Sequence, residues 1–106
     1  MANELDRRLE LQTILEGFVD DPKKVYFQPP PTVQMTYPCI VYGRDNSWVQ
    51  FADNKPYSRT KRYKVTVIDS DPDSDIPERV AQLPLCTFSR HYTADHLNHD
   101  VFNLYF

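Results

Sequence analysis

Arg62-Tyr63-Lys64-Val65-Thr66-Val67-Ile68-Asp69 runs straight into Ser70-Asp71-Pro72-Asp73-Ser74-Asp75, and that into Ile76-Pro77-Glu78-Arg79-Val80-Ala81-Gln82-Leu83. The first run alternates. Tyr63, Val65 and Val67 point one way while Lys64, Thr66 and Ile68 point the other, the period of a strand with one buried face. The last run opens on the capping-box pattern Asp75-Ile76-Pro77-Glu78 and turns Val80 and Leu83 inward, which predicts a short helix closed by Pro84. A strand, an acidic elbow and a helix in one unbroken stretch point to a mixed fold.

Upstream, Leu5, Leu9, Leu11, Ile14, Leu15 and Phe18 recur at helical steps, with Arg7, Arg8, Glu10 and Gln12 between them. That spacing predicts an amphipathic helix from about Asn3 to Glu16, with Gly17 at its end and a turn at Asp20-Asp21-Pro22. Val25 to Gln28 reads as a short strand stopped by Pro29-Pro30-Pro31, since proline cannot donate to a ladder. Tyr37 to Arg44 is the next strand, Asp45-Asn46 a hairpin turn, and Ser47 to Ala52 the return strand. The strongest strand covers Thr60 to Asp69. Leu85 to Tyr92 and about Asp100 to Phe106 read as two final strands joined by Thr93 to His99. The apolar end Phe102-Asn103-Leu104-Tyr105-Phe106 predicts a strand central in the sheet, or one laid partly against a partner. The expected fold is α+β: a mixed, mainly antiparallel β-sheet flanked by two helices, in the order α-β-β-β-β-α-β-β.

A chain of 106 residues makes one domain, here residues 1–106, and a second would lack a core. With 41% hydrophobic and 25% charged residues the composition is globular, which excludes disorder over the whole length. The net charge of −3 argues against general duplex-DNA binding, which needs a basic footprint. Nothing resembles a membrane span, and Met1 to Asp6 has no signal-peptide character. Cys39 and Cys86 both fall in expected strands and read as buried thiols in a reducing cytoplasm.

Three clusters invite a chemical reading. Asp69, Asp71, Asp73 and Asp75 have the alternation of a calcium loop, yet an EF-hand needs Gly at its sixth place and Glu at its twelfth, where Ser74 and Val80 stand. The plain alternative is a solvated elbow with a helix cap. His91, His96 and His99 crowd one window with Asp95 and Asp100, but structural zinc sites close with four ligands at tighter pair spacing. His96-Leu97-Asn98-His99 also lacks the hairpin and helix over which a His-Asn-His nuclease spreads its residues. Arg59, Lys61, Arg62 and Lys64 form a cationic run that serves equally to protect a strand edge. No catalytic elbow, phosphate loop or nucleophile–base pair is visible, so the chain reads as non-enzymatic, with no metal site and no cofactor.

Taken after Val25-Tyr26-Phe27-Gln28-Pro29-Pro30 and Tyr37-Pro38-Cys39-Ile40-Val41-Tyr42, the strand–elbow–helix stretch resembles the small tail-terminator proteins of long-tailed bacteriophages. The resemblance covers nearly the whole chain in pattern, though this chain is shorter than many of the type. It implies a structural virion protein that forms a homo-oligomeric ring, expected to be a hexamer, on the last tail-tube ring. The implied partners are the tail-tube protein on one side and the head-completion or stopper protein on the other. DNA would pass through the lumen without sequence-specific binding. The place implied is the head–tail junction of the virion, after assembly in the host cytoplasm. A ring built head to tail uses two different patches per subunit. The candidates are Asp71, Asp73 and Asp75 on the elbow against Arg59, Lys61 and Arg62, with Trp48, Phe51 and Tyr57 as aromatic anchors. The rival readings are a head-completion connector and, from another class, a small metal-binding module. The opening helix and the helix after the elbow count against the small β-barrel expected of a connector.

Overall fold

The computed structural model describes residues 4–45 and 61–106, a mixed five-stranded sheet with one long and one short helix. The elements are α1 (Glu4–Glu16), a single 3₁₀ turn (Pro22–Lys24), β1 (Val25–Phe27), β2 (Cys39–Arg44), β3 (Arg62–Asp69), α2 (Ile76–Ala81), β4 (Cys86–Ala94) and β5 (Leu97–Tyr105). The return strand expected over Ser47 to Ala52 lies outside the described residues. The sheet order is β1-β2-β3-β5-β4; β1 runs parallel to β2 and every other pairing is antiparallel. This is the expected α+β class, and β5 lies inside the sheet between β3 and β4.

The alternation in β3 decides the two faces. Tyr63, Val65 and Val67 are buried, and their register partners Tyr42, Ile40, Leu104 and Phe102 share their side. Leu11 and Leu15 of α1 and Ile76 and Val80 of α2 join the same cluster, so both helices cover one face. The contact of α1 is narrower than its periodicity suggested: Leu9 and Ile14 are exposed, while Leu11 and Leu15 are fully buried. The Tyr42 hydroxyl donates to Gln12 Oε1, tying α1 to the sheet.

Two local expectations are corrected. Thr93 to His99 is not a loop. Asp95 and His96 take left-handed backbone angles (φ 53° and 64°), a two-residue turn that lets both strands pair up to it. Nor does Asp75 cap α2 with its side chain. Its backbone is already in the right-handed helical region (φ −89°, ψ −5°), and the Ser74 hydroxyl accepts from the Ile76 amide at 3.3 Å instead.

Candidate functional site

The acidic elbow is built by its own carboxylates. Asp69 is buried at the end of β3, where its Oδ1 accepts from the Asp71 amide at 2.9 Å. Asp71 Oδ1 accepts from the Asp73 amide at 2.9 Å in the same manner, giving two successive Asx turns. Asp71 and Asp73 are exposed, and Pro72 stands between them at the tip. Asp75 is held by Arg79, whose Nη2 donates to Oδ2 at 3.0 Å one helical turn on. Asp71, Asp73 and Asp75 are all exposed, and Asp75 is tied to Arg79.

The cationic run lies at the other end of β3. Seven residue steps of ~3.3 Å separate Arg62 from Asp69 by roughly 23 Å. Arg62 Nε lies 3.3 Å from Asp45 Oδ2, an ion pair whose orientation does not make a hydrogen bond. Lys61 exchanges backbone hydrogen bonds with Phe106 at 2.9 Å each way. Arg59, Trp48, Phe51 and Tyr57 lie outside the described residues. Arg62 is thus engaged within the chain by its side chain and Lys61 by its backbone, while Lys64 and Arg44 are exposed.

Lys64 pairs across the ladder with Gly43, and Arg44 follows Gly43 at the end of β2. Together with Gln28, Val41, Asp45 and Thr66 they line an open groove of about 430 Å³. Gly43 leaves room there for the Gln28 side chain. A Cβ at this position would stand 2.9 Å from Gln28 Cγ, because the Gln28 side chain lies across it to accept from the Arg44 amide at 3.0 Å. Arg44 went unnoticed in the sequence because it closes a strand instead of joining a charge run. The one available signal was a lone glycine inside a strand, a mark of close approach.

A second hollow, of about 310 Å³, is apolar and lies between α1, the α2–β4 connection and the end of β5. Leu11, Ile14, Leu83, Leu85, Leu104 and Phe106 line it, and the Arg7 guanidinium lies 4.4 Å above the Phe106 ring at its side. Leu85 and Phe88, at the start of the edge strand β4, are 68% and 57% exposed.

The histidines disperse. His91 Nδ1 lies 2.8 Å from Asp100 Oδ1, while His99 stacks on Tyr92 at 4.5 Å on the opposite face of the hairpin, and His96 occupies the turn. Among the described residues no group of three or more His, Cys, Asp or Glu side chains is placed to hold a metal ion. Burial pushes the Cys39 thiol up to about 12, with Asp69 adding to the effect, and burial also raises Cys86, which is only half-buried. Both cysteines are free. Among the described residues no helix is long and apolar enough to cross a membrane. No family model, no curated protein and no solved structure matches the chain.

Proposed function

We propose that this chain is a structural virion protein of a long-tailed phage, one that forms a ring, ends growth of the tail tube and joins tail to head. The observation that carries the reading is the placement of the exposed carboxylates of Asp71 and Asp73 beyond one end of β3 and of exposed cations, Lys64 and Arg44, toward the other. Patches of opposite sign that cannot meet within one molecule suit a heterologous contact, and such contacts form rings where the rotation between copies closes. The element order and the strand–elbow–helix stretch support the tail-terminator likeness in particular.

The mechanism is steric and geometric, with no catalysis. One face of the ring seats on the final tube ring and offers no surface for another tube subunit. The opposite face receives the head-completion protein. A net acidic subunit suits a lumen through which DNA passes, because a basic wall would hold the phosphates.

The test is a stop codon early in this gene within its phage, with the non-permissive lysate imaged by electron microscopy. Full heads beside unattached, abnormally long tails are the expected result. Tails of normal length with leaking heads would move the protein to the head-completion role, and normal virions would end both readings.

A further inference from the structure

We propose that the open edge of β4 receives residues 32–37 of a second copy of this chain as an added strand. The inference rests on the ring reading above and deepens it, since it names a contact by which copies join.

The outer side of β4 is bare. It is the last strand of the sheet, and among the described residues its backbone pairs only with β5. Every position from 87 to 94 is exposed. The Leu85 carbonyl accepts from the Tyr105 amide at 3.1 Å, so by antiparallel alternation Cys86 and Phe88 turn their own amides and carbonyls outward. The guards that usually blunt an edge are few here. Cys86–Ala94 holds no proline and no lysine, and only Arg90 and a bulge at Ser89 interrupt it. Phe88 lies on the helix-covered face, edge-on to Phe102 at 5.6 Å, and is still 57% exposed.

The chain itself carries a segment that fits. Residues 29–38 contain no charge, in a chain that is 25% charged. Within them Val33, Met35 and Tyr37 alternate with Thr32, Gln34 and Thr36, the period of a strand, and valine, threonine and tyrosine favour that state. Yet residues 33–36 are in neither helix nor strand, and Val33, Gln34, Thr36 and Tyr37 are exposed. The Val33 amide donates to the Pro30 carbonyl and the Thr36 amide to the Tyr26 hydroxyl. Among the described residues the amides of Gln34, Met35 and Tyr37 have no partner. Laid along β4, the segment sets Val33, Met35 and Tyr37 on the side of Phe88 and its polar residues on the side of Thr87 and Arg90. A bare edge and an unpaired segment of strand period satisfy each other's backbone groups, which is recognition by strand addition.

The pairing joins copies. Tyr26 holds the segment beside β1, and four inter-strand steps of ~4.8 Å, roughly 19 Å, separate β1 from β4. Reaching its own β4 would lay the segment across a face of the sheet instead of along the edge. The β1 edge is a poor receiver, because β1 is three residues long and ends at Gln28 in a left-handed backbone (φ 44°) before three prolines. Segment and edge are different patches, so the contact is heterologous, as a ring requires.

The experiment is sedimentation velocity on the full chain from low to several hundred micromolar, with hydrogen exchange read by mass spectrometry at both ends of that range. The natural chain should associate, and exchange should slow at high concentration in two regions, residues 32–37 and Cys86–Ala94. F88K places a lysine guard on the edge, while V33K and Q34P alter the segment and leave the sheet untouched; circular dichroism checks that each variant folds. Each should associate at least about tenfold more weakly. Protection of β4 alone, with V33K and Q34P associating like the natural chain, would overturn the segment as occupant in favour of two β4 edges paired about a two-fold axis. Protection of neither region, or a chain that stays monomeric throughout, would overturn the contact altogether. The ring reading is judged separately, by the tails in the non-permissive lysate.

Discussion

Arg62 Nε stands 3.3 Å from Asp45 Oδ2, so the cation at the start of β3 belongs to the carboxylate that ends the preceding strand segment. Both side chains are largely covered, at 26% and 14% exposed. The pair occupies the mouth of the sheet where β2 leaves and β3 returns, and the Asp45 amide also donates to the Arg62 carbonyl at 2.9 Å. This geometry gives Arg62 a folding role. Replacing it with Met should cost ~1 kcal/mol of stability, measured by urea unfolding. It should leave association of the folded chain within about twofold of the natural value.

Gly43→Ala should destabilise by ~1 kcal/mol, because the added methyl meets Gln28 Cγ at 2.9 Å and displaces the side chain that holds the Arg44 amide. Removing the obstacle with Gln28→Ala should make the second change nearly free. A double-mutant cycle in thermal unfolding reads the coupling directly, and additive effects would show that the two residues do not meet.

Ser74→Ala should cost ~1 kcal/mol, since the hydroxyl takes the Ile76 amide at the start of α2. Asp75→Ala should cost less, within ~0.5 kcal/mol, because its exposed pair with Arg79 is screened by solvent. The reverse order in guanidinium unfolding would return the cap to Asp75.

Cys39 supplies a pH dependence. Its thiol is raised from 9.0 to about 12 by burial and then by Asp69, so the folded state keeps the proton that the unfolded chain has lost. The resulting stabilisation is full below about pH 9 and disappears as pH rises toward about 12. The melting temperature should therefore fall across that window, and Cys39→Ala should flatten the fall. At pH 8.5 iodoacetamide should alkylate the half-buried Cys86 well before Cys39, as peptide mapping would show.

Local order was legible wherever neighbours in sequence are also neighbours in space. The two-residue alternation from Tyr63 to Val67 revealed the buried face of β3, and the apolar run Phe102 to Phe106 marked a strand inside the sheet. The extent of the final hairpin was less legible. Asp95 and His96 each tolerate a left-handed backbone, but that they do so together depends on the pairing of Ala94 with Leu97 on either side. The helical stripe on α1 was similarly overstated, since periodicity offers Leu9 and Ile14 to a core that takes Leu11 and Leu15 and leaves those two exposed.

Charge could be counted along the chain but not assigned to partners. The sequence by itself determined an α+β chain with an acidic elbow directly after its strongest strand, because hydrophobic period, proline and turn residues act over a few positions. Tertiary structure alone decided which charges meet. Antiparallel pairing of β2 with β3 brought Asp45 to Arg62 and set Gly43 opposite Lys64 and Arg44 opposite Tyr63, partners some twenty positions distant along the chain. Ion pairing and close backbone approach follow distance in space, and only the ladder register fixes that distance.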